Sequence, residues 1–457
     1  MKIHFIAIGG SAMHNLALAL HHKGYLITGS DDEIVEPSKS RLAACGLLPE
    51  APGWFPGKIT ADLDAVVLGM HARGDNPELL RARELGLKIF SYPEFLYEQT
   101  RDKTRVVIGG SHGKTTITSM IMHVLRESGM AFDYMVGAQL EGFDTMVGLR
   151  NDSRIAIFEG DEYLSSPEDR RPKFHLYHPH IGVLSGIAWD HINVFPTFDN
   201  YVEQFRRFAE LIEPGGSLFY FEGDPHLRNI AAAQRHITST AYKAHPAEVR
   251  QQQTCLIFGD ERVPLRIFGE HNLQNIAAAL AVCRALGVGD DLFYGAMRTF
   301  TGASRRLEVL AENGTTTVFR DFAHSPSKLQ ATTRAVKSHF PGRRLIACME
   351  LHTFSSLKKE FLPHYHHTMD EADEAYVYFN PHTVEHKKLE PITPEMVYEG
   401  FGKPGLRVTT DSEALFAELE AKAWDHCNLL LMSSGNFDGK DLPALARRIT
   451  GHYTSTL

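Results

Sequence analysis

The chain has 457 residues, a formal net charge of −9 and 43% hydrophobic residues. At roughly 150 residues per domain, this length predicts about three domains. The composition is ordinary for a globular protein, and the negative charge argues against a nucleic-acid binder with a broad basic surface. Histidine is unusually frequent at 25 residues, which prompts a search for a metal site because imidazole is a common metal ligand.

The cysteines and the chain start indicate a reduced, cytoplasmic protein. The five cysteines lie far apart without a CxxC pair, which argues against a disulfide framework or a zinc knuckle. No apolar run reaches the roughly 18 residues of a membrane span. The opening MKIHFIAI is short, interrupted by His4 and followed by glycines, so it predicts a first β-strand rather than a signal peptide.

Hydrophobic segments alternate between strand-like and helix-like patterns along the whole chain. Strands are predicted at 3–9, 25–32, 65–70, 88–92, 105–110, 154–162, 181–187, 316–323, 343–351, 374–380 and 427–434. Helices are predicted at 9–24, 77–86, 114–128, 199–212, 272–287, 325–340, 411–423 and 442–449. This alternation predicts an α/β fold with parallel strands. A polar stretch at 98–104 and the segment near Ser304 mark predicted domain boundaries.

The strongest local motif is VVIGGSHGKTT at 106–116, where a buried strand enters a glycine-rich turn that opens a helix. Bare backbone amides and a helix N-terminus suit phosphate oxygens, a lysine adds a cation, and a threonine hydroxyl can ligate Mg²⁺. Ile108 replaces the first glycine of the usual GxxxxGK[ST] spacing, so the loop is a shorter GxxGKT. The predicted nucleotide-binding residues are Gly110, Ser111, His112, Gly113, Lys114, Thr115 and Thr116.

Acidic residues and a histidine follow two other predicted strands. Glu159, Asp161 and Glu162 end one strand, and Asp190 and His191 come after another. Carboxylates near phosphates could hold Mg²⁺. A solvated strand end and a structural histidine are the alternatives, although two such ends in one domain favour a metal site.

The first glycine turn, AIGGSAM at 7–13, is an incomplete dinucleotide-binding turn because Ala7 and Ala12 stand where glycines are expected. It is weak evidence for NAD, but the bare backbone at Gly9, Gly10 and Ser11 still favours a phosphate. About twenty residues further on, Ser30 and Asp31 end a strand where a ribose or base would fit.

Two later segments carry polar residues on either side of the predicted domain boundary near Ser304. GEHNLQN at 269–275 opens a helix, where asparagine is also a common structural cap. Arg306 could stabilise phosphoryl charge, and Asp321, close to His324, could hold ribose hydroxyls. An ion pair between domains is the alternative for these residues.

The ordered motifs AIGGSAM, GSD, GGSHGKTT, EGDEY, WDH, GEHNLQN, SRRLE and DFAHSP resemble those of the Mur ligase family across essentially the whole chain. This resemblance implies three consecutive domains. They are a Rossmann-like UDP-muramyl domain at 1–103, a central P-loop ATPase domain at 104–303, and a Rossmann-like domain at 304–457 that binds the incoming amine. It also implies an ATP-dependent amide ligase of peptidoglycan metabolism.

Two family members start with a similar turn and use UDP-N-acetylmuramate. EGDEYLSSPEDRRPKF at 159–174 and DFAHSP resemble the member that attaches the recycled tripeptide L-alanyl-γ-D-glutamyl-meso-diaminopimelate, and L-alanine is the alternative amine. Gly160, where that member has alanine, and ELHTFSS at 350–356, where it has an EPRSNT-like segment, depart from its pattern. The expected partners are these small molecules, without nucleic acid or membrane, in a monomer or weak dimer.

The resemblance implies a role for each motif, with ATP and Mg²⁺ as cofactors. Lys114 would contact the transferred phosphate, Thr115 and Glu159 one Mg²⁺, and His191 a second. Asn272 and Asn275 would face adenine, Arg306 and Asp321 would reach ATP, and His324 would lie near the phosphates. Lys114, His191, Arg306 and His324 are the expected catalytic residues. The expected UDP-muramyl residues are Gly9, Gly10, Ser11, Ala12, Met13, Ser30, Asp31 and His71.

Three competing interpretations are separated by simple features. A non-catalytic, nucleotide-gated binding module would bind ATP without forming an amide. A dehydrogenase would leave the GKT loop unexplained. Folylpolyglutamate synthase lacks a UDP-binding N-terminal domain, so the first hundred or so residues argue against it.

His191 gives the first testable prediction. The change His191→Ala should raise the Mg²⁺ concentration needed for half-maximal ADP release by about tenfold, since loss of a group around a metal commonly weakens it on this scale. An unaltered magnesium dependence would assign His191 a structural role.

Overall fold

The computed structural model describes residues 1–70, 72–166, 168–190 and 192–451. They form two compact units. The first comprises Met1–Ile187, Phe198–Lys243 and Ala278–Ala296, and the second comprises Ala188–Thr197, Ala244–Ala277 and Met297–Leu457. Within the described ranges, no helix is long and apolar enough to cross a membrane.

A four-stranded parallel sheet opens the first unit. Its elements are β1 (Lys2–Ile6), α1 (Ser11–His22), β2 (Leu26–Ser30), α2 (Ser38–Ala44), β3 (Ala65–Leu68), α3 (Pro77–Glu84), β4 (Ile89–Ser91) and α4 (Tyr92–Thr100). The strand order is β2-β1-β3-β4, and every pairing is parallel. Parallel neighbours require crossover connections, and helices supply them here.

A seven-stranded sheet forms the larger part of the first unit. Its elements are β5 (Thr104–Gly109), α5 (Lys114–Glu127), β6 (Asp133–Met135), β7 (Val147–Gly148), β8 (Ile155–Glu159), β9 (Ile181–Leu184), α6 (Phe198–Glu210), β10 (Ser217–Phe221), α7 (Pro225–Ala233) and β11 (Thr238–Tyr242). The order is β11-β10-β9-β5-β8-β6-β7, and only the edge strand β7 is antiparallel to its neighbour. The central β5 is apolar and fully buried at Val106, Val107 and Ile108, as expected for a parallel strand covered on both faces.

A small antiparallel sheet and two helices follow. They are β12 (Ala247–Arg250), β13 (Gln253–Phe258), β14 (Glu261–Pro264), α8 (Glu270–Ala285) and α9 (Asp290–Met297). The three strands pair in chain order as a meander.

The second unit contains a six-stranded sheet. Its elements are β15 (Glu308–Glu312), β16 (Thr317–Asp321), α10 (Pro326–His339), β17 (Arg344–Leu351), β18 (Glu374–Phe379), α11 (Pro381–His386), α12 (Pro394–Phe401), β19 (Arg407–Thr409), α13 (Ser412–Ala421), β20 (Cys427–Met432) and α14 (Leu442–Thr450). The order is β15-β16-β20-β17-β18-β19, with β15 alone antiparallel. Apolar clusters cover both faces of this sheet.

The predicted α/β fold with parallel strands is confirmed, and the predicted strands and helices recur with ends shifted by a few residues. All five cysteines are free thiols, and four of them are buried. The predicted domain limits after residues 103 and 303 stay a prediction.

A buried ion pair joins the start of β5 to β6. Lys103 Nζ donates to Asp133 Oδ2 at 2.6 Å and to Ser153 Oγ and the Arg150 carbonyl at 2.8 Å. The other oxygen, Asp133 Oδ1, accepts from Ser153 Oγ and from the Arg150 amide. All three N–H donors of the lysine are therefore satisfied, which makes the burial of its charge tolerable.

Removal of one charge from this pair should destabilise the first unit. The change Asp133→Ala would strand a buried ammonium group, at a cost of about 3–5 kcal/mol. Urea unfolding followed by circular dichroism should show a lower midpoint. The change Asp152→Ala, which removes an exposed carboxylate paired with Arg150, is the control and should leave the midpoint unchanged. Equal midpoints for the two variants would contradict this expectation.

Candidate nucleotide-binding site

Three loops of the first unit meet at the carboxyl edge of the seven-stranded sheet. β5 lies between β8 and β9, and the chain leaves β5 on one side and later crosses to the other. Such a reversal opens a crevice beyond the carboxyl ends of the strands. Backbone hydrogen bonds join the loops: the Ser111 amide donates to the Gly186 carbonyl at 2.9 Å, and the Gly160 amide donates to the Ile108 carbonyl at 2.8 Å.

Two glycines give the loop after β5 a backbone that other residues disfavour. Gly110 has φ of +129°, and a Cβ there would lie 2.9 Å from the Ser185 amide nitrogen. Gly113, with φ of +74°, immediately precedes α5. The first-turn amides of α5 therefore follow a residue without a side chain, as suits a phosphate at a helix N-terminus.

The ammonium group of Lys114 lies over this loop. Its Nζ donates to the Gly110 carbonyl and to Glu162 Oε2, both at 2.6 Å. Burial favours a lower pKa for Lys114, but Glu162, Asp161 and Glu159 together raise it. The lysine is therefore charged at neutral pH and is available as a cation for phosphate oxygens.

Thr115 and Glu159 are close together, as the predicted magnesium site requires. Thr115 Oγ1 donates to Glu159 Oε1 at 2.8 Å, and the Gly137 amide donates to Glu159 Oε2 at 2.7 Å. Hydroxyl and carboxylate oxygens are the kind of donors that Mg²⁺ prefers. No group of three or more His, Cys, Asp or Glu side chains with metal-site geometry occurs in the described part of the chain. Thr115 and Glu159 supply two oxygens, so a six-coordinate Mg²⁺ at this position would need further ligands.

Asp161 has a partner of its own. Its Oδ2 accepts from Lys173 Nζ at 2.6 Å. Burial favours a higher pKa for Asp161, but Lys173 and then Lys114 hold it well below its usual range. Asp161 thus remains charged and holds the segment after β8 in place.

Tyr201 on α6 is part of this site, although the sequence analysis did not identify it. Its hydroxyl lies 2.9 Å from Ser111 Oγ and donates to Glu162 Oε1 at 3.1 Å. The amphipathic pattern of α6 placed Tyr201 on the buried face, but nothing in that pattern indicates a contact with a loop 90 residues earlier.

The turn after β1 is held by Asp31. The Gly9 amide donates to Asp31 Oδ2 at 2.7 Å, and a Cβ on Gly9 would lie 2.9 Å from the same oxygen. Of the other predicted residues, Gly10 precedes α1, Ser11 and Ala12 are exposed in its first turn, and Met13 is buried. The structure therefore brings Gly9 and Asp31 together and leaves Ser11 and Ala12 accessible.

Ser30 is fully buried rather than presented at the surface. Its hydroxyl lies 3.3 Å from Lys58 Nζ, beside the buried contact between His4 Nε2 and Glu78 Oε2 at 3.2 Å. A direct ligand contact by Ser30 would require the groups that bury it to move.

Two buried polar residues of α1 lie next to this turn, one of them in contact with the larger sheet, and sequence analysis missed both. His14 Nδ1 lies 3.0 Å from the Gly10 carbonyl and 2.9 Å from Ser38 Oγ. Asn15 Oδ1 accepts from the Met146 amide at 2.9 Å, just before β7. Polar residues on the buried face of an apolar helix are the signal that could have identified them.

In the second unit, Arg306 lies just before β15, and Asp321 is the last residue of β16. Asp321 accepts from the Leu307 and Ala323 amides, both at 2.7 Å. The Arg306 guanidinium lies 4.6 Å from the centre of the Phe322 ring. Burial raises the pKa of Asp321, and Arg306 opposes this effect. Asp321 therefore has a clear structural function, whatever it binds.

His324 faces Asp190 inside the second unit. Its Nδ1 lies 2.8 Å from the Phe322 carbonyl, and its Nε2 lies 3.7 Å from Asp190 Oδ2. Burial, followed by Lys328, lowers the pKa of His324 against the opposing effect of Asp190. The imidazole is therefore neutral at pH 7.

The remaining predicted residues are at the start of α8 or outside the description. Asn272 Nδ2 donates to the Phe268 carbonyl at 2.8 Å, and Asn275 Nδ2 donates to Asn272 Oδ1 at 3.4 Å. Both side chains are buried. His71 and His191 lie outside the described residues.

A further polar cluster ends β17 in the second unit. Glu350 Oε2 accepts from the Phe437 amide at 2.8 Å and from the Ser433 hydroxyl, and His352 Nδ1 lies 3.6 Å from Glu350 Oε1. Burial favours a higher pKa for Glu350, but His352, Ser433 and the Phe437 amide lower it. The result is an ionised carboxylate at a strand end, which suits a cationic group.

Three family models match the chain in sequence. The Mur ligase family, catalytic domain, matches residues 2–104, the Mur ligase middle domain matches 108–283, and the Mur ligase, glutamate ligase domain, matches 305–435. A UDP-N-acetylmuramate–L-alanine ligase of Arthrobacter sp. (strain FB24) is 32% identical over 387 residues, which is 82% of this chain and 80% of the relative.

Two solved structures are also similar. The UDP-N-acetylmuramate:L-alanyl-γ-D-glutamyl-meso-diaminopimelate ligase from Neisseria meningitides is 26% identical with a TM-score of 0.59, covering 65% of this chain and 98% of that one. The murein peptide ligase from Psychrobacter arcticus 273-4 is 23% identical with a TM-score of 0.67, covering 98% and 99%. The second likeness is one of fold.

Lys114 provides the test of this site. The change Lys114→Ala should lower ADP release by about 10²-fold or more, because it removes a fixed positive charge from the phosphates. Binding of UDP-N-acetylmuramate should survive, since the residues predicted for it belong to the four-stranded sheet. The change Lys243→Ala, at an exposed lysine paired with Glu222, is the matched control. Unchanged turnover in Lys114→Ala would contradict the nucleotide assignment.

Proposed function

The chain belongs to the Mur ligase family of ATP-dependent amide ligases, and we propose that it joins UDP-N-acetylmuramate to L-alanyl-γ-D-glutamyl-meso-diaminopimelate. The observation that carries the nucleotide half of this proposal is the loop after β5, with Lys114 above it and Thr115 beside Glu159. The sugar half is supported by the bare turn of Gly9 to Ser11, which has a helix N-terminus for a phosphate.

The proposed reaction has two steps. A lactyl carboxylate oxygen attacks the γ-phosphorus of ATP, the bond to the β–γ bridging oxygen breaks, and ADP leaves. The uncharged α-amine of the peptide then attacks the acyl carbon of the acyl phosphate. The carbon–oxygen bond to phosphate breaks, and the nitrogen loses a proton as the amide forms.

The protein contributes mainly positions and charges to this reaction. The amides of the loop and of α5 would hold the phosphates, and Lys114 would stabilise charge on the transferred group. Thr115 and Glu159 would hold Mg²⁺, which neutralises charge on the β- and γ-phosphates when bound. The roles that the family resemblance implies for Arg306 and His324 stay predictions.

The amine is proposed to bind at the carboxyl edge of the six-stranded sheet. Glu350 is an ionised carboxylate that could receive an ammonium group. The Ser325 hydroxyl at the start of α10 is buried without a hydrogen-bond partner among the described residues, and a substrate oxygen could pair with it once the groups that cover it move.

We propose the tripeptide rather than L-alanine as the amine for two reasons. The sequence of segment 159–174 resembles the recycling member of the family, and the Neisseria ligase is a similar structure. L-Alanine is the second candidate because the Arthrobacter relative, at 32% identity, is named for it.

A competition between amines tests the proposal. The protein is incubated with ATP, Mg²⁺ and UDP-N-acetylmuramate, and L-alanine and the tripeptide are offered separately. ADP is followed by a coupled assay and the amide by mass spectrometry. We expect kcat/KM for the tripeptide to exceed that for L-alanine by at least about tenfold, which corresponds to about 1.4 kcal/mol.

Each contrary result has a distinct meaning. A preference for L-alanine would reassign the amine but keep the ligase. Nucleotide binding without an amide product from either amine would favour a nucleotide-gated binding module. Omission of UDP-N-acetylmuramate is the control and should abolish ADP release.

A further inference from the structure

The ammonium group of Lys114 has a charged partner within the protein. It lies 2.6 Å from Glu162 Oε2, and the side chains of Lys114 and Glu162 are only 15% and 2% exposed. Charges attract each other more strongly when they are shielded from water. A polyphosphate bound on the loop would therefore compete with Glu162 for this cation.

Tyr201 connects the same carboxylate to the loop. It is fully buried, and its ring meets Phe205 edge-on at 5.1 Å, so the position of its hydroxyl is fixed. A carboxylate only accepts hydrogen bonds, and a phenol has one proton. Tyr201 therefore donates to Glu162, and Ser111, whose Oγ lies 2.9 Å away, donates to Tyr201.

We propose that Glu162 is a counter-ion that a polyphosphate displaces from Lys114, and that Tyr201 is a positioning residue that holds Glu162 during this exchange. Lys114 transfers its contact from a carboxylate oxygen to a phosphate oxygen, and Glu162 keeps the hydrogen bond from Tyr201. The inference rests on the nucleotide role given to the loop in the proposed function. It adds two residues that set the affinity for phosphates without contacting them.

Glu162 and Tyr201 should act with opposite signs. The change Glu162→Gln removes both the competitor for Lys114 and a negative charge close to the phosphates, so ADP should bind about tenfold more tightly. The change Tyr201→Phe removes the donor that stabilises the displaced carboxylate, so ADP should bind about tenfold more weakly. In the double variant, Tyr201→Phe should have little further effect.

Calorimetry on the full chain measures these affinities, with and without Mg²⁺. AMP is the matched ligand because it has neither a β- nor a γ-phosphate to compete with Glu162 for Lys114, and its Kd should be the same in every variant. Glu203→Gln on the exposed face of α6, and Tyr134→Phe, whose hydroxyl donates to the Thr145 carbonyl, are the matched control variants. Both should bind ADP like the wild type.

A second variant guards against simple damage to the fold. The change Glu162→Asp keeps the charge and should bind ADP no more tightly than the wild type, and circular dichroism should show that each variant is folded. Weaker ADP binding by Glu162→Gln, or equal shifts for AMP and ADP, would overturn the inference. Absence of ADP binding by the wild type would instead overturn the proposed function, and the inference with it.

Discussion

A buried cation that must stay charged governs the edge of the seven-stranded sheet. Lys114 is largely removed from water, and an uncompensated charge in such a place would cost several kcal/mol, about 3–5 when one partner is removed. Glu162 supplies the direct partner, and Asp161 and Glu159 add to the negative field. Asp161 is itself held by Lys173. The acidic residues at the end of β8 and after it therefore compensate the charges of Lys114 and Lys173. Any binding of magnesium there would alter this compensation.

The fold was predictable where burial is extreme. β5 and α5 have continuous or periodic apolar residues because both are covered, and both were predicted within one residue at each end. β11 was not predicted because it lies at a sheet edge, and most of its residues are partly or fully exposed. The end of α4 was predicted to be part of a polar domain boundary at 98–104. Ser91 and Glu94 form a capping box that marks the start of this helix. Edge elements have little burial, and so they leave a weak hydrophobic pattern.

The site was predictable mainly where a single contiguous segment of the chain determines its conformation. The glycines and Lys114 form a contiguous motif whose conformation follows from the positive φ angles at Gly110 and Gly113. The pairing of Thr115 with Glu159 was implied by the family resemblance, and the shared carboxyl edge of the parallel strands β5 and β8 accounts for it. Tyr201 could not be found in this way, because its hydroxyl reaches Ser111 through the packing of α6 rather than through strand register. A single sequence contains no signal for such a contact.

Gly160 illustrates how packing explains a departure from a family pattern. Alanine was expected at this position, yet a Cβ would lie 2.9 Å from Val107 Cγ1 and 3.0 Å from the Ile108 carbonyl oxygen. It would also lie 3.2 Å from Phe174 Cβ, where the segment after β8 returns to the sheet. Glycine thus lets Phe174 and β5 approach closely, directly before the two carboxylates that face Lys114 and Lys173. The substitution is a matter of core packing beneath the phosphate loop, and it therefore gives no argument about which amine the protein uses.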